Sequence, residues 1–249
     1  MRRTVMAVAA ATVLVAALAV TTACTRVRLS DSPSTRTFTE KGSVPLRGAT
    51  DLTAEIDQGV GDLTLRASSP ATDAVQTAFT FSPESWRPEV SSSVAGTVAT
   101  LNIAQPDASR TPLFGGVRNT WVITLPTKVA TDLTMKLGVG RSDVDLRGIE
   151  LTRLDVSTGV GDTTIDLSGP RGADVAAHVE TGVGKLTLRV PRGVGVEVSG
   201  GNEGVGRLVA DGFIHRGSTL VNRADSGSGP KVRIDLVRGV GDVTIVMVD

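Results

Sequence analysis

Gly182-Val183-Gly184-Lys185-Leu186-Thr187 has the beginnings of a phosphate-cradling loop. Such a loop needs a Gly five residues before its Gly-Lys pair and a Ser or Thr directly after the Lys. Val179 and Leu186 stand there, and no helix pattern follows, so nucleotide binding is not expected. Gly-Val-Gly-Asp resembles part of a calcium-binding nonapeptide, but that repeat recurs every nine residues with an Asp in each turn. Here the residue after Gly-Val-Gly runs Asp62, Arg141, Asp162, Lys185, Arg207 and Asp242. A calcium site wants several oxygens and no ammonium among them. Stacked in register, Asp162 would lie between Arg141 and Lys185, so these positions read as a charge ladder and no metal is expected.

Candidates for catalysis are few. The two histidines, His178 and His215, lie on different segments, and no Gly-x-Ser-x-Gly elbow accompanies them. Paired carboxylates for glycoside hydrolysis could come from any two segments, and no motif selects a pair. A hydrolase is therefore the least favoured reading, and no cofactor is implied. Trp86 and Trp121 are the candidates for contact with a glycan or another partner, since sugar rings stack on aromatic faces. The competing role for each is to close an open end of the core.

Cys24 is the only cysteine. It follows Arg2-Arg3, an uncharged apolar run from Val5 to Val20, and the small residues Thr21-Thr22-Ala23. This is the layout of an export signal over residues 1–23. The Cys after it resembles a bacterial lipobox, in which that Cys is lipidated and becomes the new N-terminus. A Leu usually stands where Thr21 does. The alternatives are ordinary cleavage after Ala23 or retention of the apolar run as a helix, although its length is at the short limit for a span. Lipidation implies export and attachment to the outer face of the bacterial cytoplasmic membrane.

Elements of one kind must position all these residues. Period-2 alternation is plain in Leu52-Thr53-Ala54-Glu55-Ile56-Asp57, in Thr164-Ile165-Asp166-Leu167 and in Val232-Arg233-Ile234-Asp235-Leu236, and no helical stripe follows residue 23. Gly-Val-Gly recurs at Gly59, Gly138, Gly159, Gly182, Gly204 and Gly239, with central spacings of 21, 23 and 22 residues. A seventh copy at Gly193 falls out of step. Units of about 22 residues cannot bury a face alone but can when stacked. The expectation is an all-β fold, first a β-solenoid with one coil per repeat, with a β-sandwich of hairpins as the alternative. The glycines would let the chain turn a corner while coils approach closely, and the central Val could point into the core. Residues 24–50, rich in Ser, Thr, Arg and Pro, read as a tether. Residues 51–249 read as the repeat domain, with a less regular part at about 75–122 that includes a loop from Gln105 to Gly116.

Three stretches, taken in order, resemble the toast-rack family of bacterial envelope proteins, which is similar in turn to the C-terminal domain of LiaF-like stress regulators. They are Glu55-Ile56-Asp57-Gln58-Gly59-Val60-Gly61-Asp62-Leu63-Thr64-Leu65, Trp86-Arg87-Pro88-Glu89-Val90 and Asn119-Thr120-Trp121, followed by the serial Gly-Val-Gly strands. The resemblance covers about residues 49–249. It implies a β-solenoid-like fold and a role at the cell envelope, and it supplies no catalytic set. The lipoprotein-type signal, in place of several membrane helices, sets this chain apart from the LiaF-like pattern.

Composition narrows the partners. The chain has 26 basic and 26 acidic residues. Removing residues 1–23 takes away Arg2 and Arg3 and leaves 24 against 26, a net charge of −2. That offers no electrostatic footprint for nucleic acid and no polybasic membrane signal. The function expected is a non-catalytic, lipid-tethered scaffold contacting an envelope protein or cell-wall polymer, in adhesion or envelope stress response, with a glycan-binding module as the alternative.

Overall fold

The computed structural model describes residues 36–69, 71–106, 117–201, 203–226 and 228–249. The export signal, Cys24, the first part of the tether and most of the Gln105–Gly116 loop lie outside the described residues.

The alternating segments form strands, and each Gly-Val-Gly carries the chain from one sheet to another. β2 (Asp51–Val60), β8 (Ala130–Val139), β10 (Leu151–Val160), β12 (Val175–Val183) and β18 (Lys231–Val240) lie in a ten-stranded sheet. Their continuations β3 (Asp62–Ala67), β9 (Ser142–Asp145), β11 (Thr163–Asp166), β13 (Leu186–Pro191) and β19 (Val243–Val248) lie in a nine-stranded sheet. Two further coils complete the stack: β6 (Val98–Ala104) with β7 (Arg118–Leu125), and β14 (Gly195–Gly200) with β15 (Leu208–Ala210). Neighbouring coils pair in parallel. This is a β-solenoid-like fold with two mixed sheets.

Parallel register aligns apolar residues coil on coil. One row of the ten-stranded sheet is Leu101, Ala54, Leu133, Leu154, Ala177, Ile234 and Val198. A row of the nine-stranded sheet is Ile123, Leu65, Val144, Ile165, Leu188, Ile245 and Ala210. Such rows make up one core cluster between the sheets, thin and aliphatic as the scarcity of aromatics requires.

The stacking order is not the chain order. Along the ten-stranded sheet the coils run β6, β2, β8, β10, β12, β18, β14. The second coil in sequence thus lies outside the first, and the last lies inside the one before it. Antiparallel strands close the ends: β4 (Ala74–Ser82) and β1 (Phe38–Pro45) beyond β7, β5 (Glu89–Ala95) beyond β6, and the hairpin of β16 (Ile214–Arg216) and β17 (Thr219–Val221) beyond β14. The hairpin alternative therefore describes only the margins.

Three expectations need correction. The tether was expected to run to residue 50, but β1 pairs with β4 along its whole length, and Phe38 stacks on Phe81 with ring centroids 5.6 Å apart. Ser, Thr and Lys on its outer face had masked the strand. The part at 75–122 contains a regular coil, β6 with β7, that lacks only the glycine corner. The central valines, expected in the core, point outward.

Candidate interaction surface along the glycine corner

At every in-step corner but the first, the first and third glycines both press on the backbone of the neighbouring coil. A Cβ on Gly159 would lie 2.4 Å from the Gly138 carbonyl oxygen, and one on Gly161 would lie 1.8 Å from that of Gly140. Gly161 also has φ +143°, a conformation side chains disfavour. This approach brings corner hydrogen bonds into line: the Gly140 N–H donates to the Val160 carbonyl at 3.0 Å, Gly161 to Val183 at 2.8 Å and Gly184 to Val240 at 2.9 Å. The out-of-step copy at Gly193 has no such contact, and its Gly195 opens β14.

With both glycines against backbone, the Val between them can only face out. Val139, Val160, Val183 and Val240 are each about half exposed, at 50–51%, and Val205 is 67% exposed. Val60, partly buried, begins the same row. The result is an apolar ridge of six valines along one edge of the stack. At about 4.8 Å per coil it is roughly 24 Å long.

Beside the ridge runs the charge ladder, and the coil order decides its pattern. In chain order the signs are −, +, −, +, +, −. In space they run Asp62, Arg141, Asp162, Lys185, Asp242, Arg207, because the last coil is inserted before the one preceding it. Alternation is complete, and Lys185 and Arg207 are separated by a carboxylate. Each Asp accepts the backbone N–H of the next coil: Asp62 from Arg141 at 3.2 Å, Asp162 from Lys185 at 3.3 Å and Asp242 from Arg207 at 3.0 Å. The Arg207 backbone and side chain hold the Asp242 carboxyl below the usual carboxylate range. These carboxylates serve the corner and are interleaved with cations, the arrangement that disfavours a metal. Among the described residues no cluster of three His, Cys, Asp or Glu has metal-binding geometry.

The coil without a glycine corner closes the ladder with side chains. Gln105 Oε1 accepts the Val60 N–H at 2.9 Å, and Asn119 Nδ2 donates to the Val60 carbonyl at 2.6 Å. Asn119 also donates to Gln105 Oε1 at 3.0 Å and accepts the Trp121 indole N–H at 2.7 Å. The two amides thus supply the hydrogen bonds that a further corner would give. The sequence signal was faint: an amide on each side of a long loop where a Gly-Val-Gly was due.

Trp121 is fully buried, packed edge-on against Phe79 at 5.3 Å, and Trp86 is 1% exposed. Neither presents a ring face, so the expected stacking on a glycan is not available to them. They belong to the core near its first end, the competing role. His178 and Asp235 do meet, with Nδ1 to Oδ2 at 3.0 Å, on the outer face of the ten-stranded sheet. Ser199 reaches the same carboxylate at 3.5 Å, so Asp235 stands between Ser199 and His178. A nucleophile needs the base beside it with the acid behind, and this order is the reverse. His215 is exposed on β16, opposite Leu220.

The strongest ionic cluster fastens the second end. Asp225, its side chain fully buried, meets Lys231 at 2.8 Å and Arg216 at 2.5 Å, while Lys231 also meets Glu197 at 3.0 Å. The Lys231 ammonium, with help from Arg216, holds the Asp225 carboxyl below its ordinary range. Each cation has a carboxylate in the cluster, which fits a structural clasp. Among the described residues no helix is long and apolar enough to cross a membrane.

The chain is similar to a candidate cell adhesion protein from Clostridium sporogenes, with 28% identity, a TM-score of 0.80, and coverage of 86% of this chain and all of that one. A candidate adhesin from Bacteroides fragilis matches at 16% identity and TM-score 0.34, over 86% of this chain and 99% of that one. A candidate adhesin from Parabacteroides distasonis matches at 12% and 0.27, over 85% and 97%. Among curated proteins none matches. The model of the N-terminal domain of toast_rack, DUF2154, matches residues 32–189, well over half the chain. The chain belongs to the toast-rack family.

Proposed function

We propose that this protein is a non-catalytic adhesion scaffold of the cell envelope, presenting its glycine corner to a macromolecular partner. The observation that carries the reading is the ridge of half-exposed valines beside an alternating charge ladder. Isolated exposed apolar residues are ordinary, but a contiguous row with a polar margin marks a contact surface. The 28% identical solved structure, itself a candidate cell adhesion protein, supports the same class. Export, with a lipid on Cys24 holding the protein to the outer face of the cytoplasmic membrane, puts that surface where a neighbouring envelope protein or cell-wall polymer is met.

The test is proximity labelling on intact cells, comparing the native chain with a Val160→Asp, Val183→Asp variant. Loss of labelled envelope partners in the variant is the expected result; an unchanged set of partners would remove the corner from the function. The anchor is tested apart: Cys24→Ser should release the protein from membranes. Persistence in the membrane fraction would mean that the apolar run is retained as a helix.

A further inference from the structure

The ladder has a property that no single coil shows. Six rungs of alternating sign, an even number, are complementary to the same six rungs read backwards. Reversal sets Asp62 against Arg207, Arg141 against Asp242 and Asp162 against Lys185, and then the same pairs again. Every rung meets its opposite charge at zero offset.

Symmetry makes the same selection. Two copies that meet ridge to ridge through a two-fold axis have that axis in the plane of contact. An axis parallel to the ridge leaves the ridges parallel and throws the two ladders to opposite sides. An axis perpendicular to the ridge reverses one copy and keeps both ladders on the same side, facing each other. The arrangement that brings the ladders together is thus the one in which their charges match. On the other flank, it sets Lys136 against Val237 and Ser157 against Glu180, neither of them a like-charged pair. Between the flanks, valine meets valine: Val60 with Val205, Val139 with Val240, Val160 with Val183.

We infer that the partner of the glycine corner is a second copy of this chain, docked antiparallel along the valine ridge about a two-fold axis between the β10–β11 and β12–β13 coils. This rests on the adhesion reading and names its occupant. The contact is narrow, one side chain wide with charged margins, so it belongs with the small, transient interfaces. Such a contact weakens with salt, since the ladder's charges are exposed. It gains strength when many copies are held on one surface.

The experiment uses the full chain with Cys24→Ser, so that no native thiol competes. Sedimentation equilibrium over rising protein concentration should show the mass climbing from one chain toward two, less steeply in high salt. The Val160→Asp, Val183→Asp pair should keep the chain monomeric, with thermal unfolding checked to show that it is folded. Orientation is read by oxidative crosslinking. Val60→Cys mixed with Val205→Cys should form a disulfide dimer, whereas either alone should not, its counterpart lying about 24 Å away at the spacing of stacked strands. A mass that stays at one chain, unaltered dimerisation of the Asp variant, or crosslinking of Val60→Cys to itself would each overturn the inference. Monomeric behaviour with envelope partners still captured on cells would remove self-docking and leave the adhesion scaffold standing.

Discussion

Gly161 and Gly193 show how one tripeptide can have two unrelated roles. Gly161 needs its missing Cβ twice, for φ +143° and for the Gly140 carbonyl oxygen 1.8 Å from where that carbon would sit. Gly161→Ala should therefore lose about 4 kcal/mol or more, in the range reserved for severe changes. Gly193 has nothing within 4 Å and no positive φ, so Gly193→Ala should stay within about 0.5 kcal/mol. Urea midpoints of the two variants check the contrast, and equal losses would count against the corner geometry. Trp121 belongs to this scale too. Trp121→Ala should cost about 3–5 kcal/mol as a buried aromatic. Any loss of glycan retention in that variant should follow its unfolding curve and vanish under conditions where it is fully folded.

At the scale of elements, the second end of the stack is held by side chains gathered from separate strands. Asp225 follows the β16–β17 hairpin, Arg216 ends β16, Glu197 lies in β14 and Lys231 begins β18. Because the folded pKa of Asp225 is depressed, the clasp contributes fully above the ordinary carboxylate pKa. That contribution is lost as pH falls through and below that range, once the folded carboxyl takes up its proton. Acid should loosen the hairpin end before the central coils. Hydrogen-exchange protection factors at residues 214–221 should fall first on acidification, and Asp225→Asn should show the same fall at neutral pH. An even loss of protection along the stack would be inconsistent with a local clasp.

The whole molecule is stacked out of sequence at both ends, and this bears on cooperativity. In a serial solenoid, removing the last coil exposes only its neighbour. Here β18 and β19 stand between β12–β13 and β14–β15, so deleting residues 231–249 strips support from two sides. Protection of residues 195–210 should disappear along with the deleted strands. Survival of that protection would show that β14–β15 can pack elsewhere. Asp242→Lys tests the same order through charge, making three cations in a row of Lys185, position 242 and Arg207. Its melting temperature should fall at low salt and recover in high salt, because exposed charges are screened.

The sequence by itself determined the class of structure and the close approach at the corner. Period-2 alternation fixes which residues share a face whatever the partner strand, and a glycine pair every 22 residues has few uses other than stacked turns. It also determined that Asp162 would lie between Arg141 and Lys185, since those coils are consecutive in space as well as in sequence. Tertiary structure decided what depends on which coil meets which. The strand at Phe38–Pro45 needs β4 beside it, and the amide closure by Gln105 and Asn119 needs the neighbouring Val60. The outward turn of the valines follows from glycines pressed on backbone above and below. The full alternation of the ladder appears only when the last coil is inserted ahead of its predecessor. Local pattern records a residue's own preference for core or solvent, whereas neighbours across sheets are chosen by packing the whole chain at once. For that reason the valine ridge and its self-complementary margin, the surface on which the function is proposed, appear only in the folded stack.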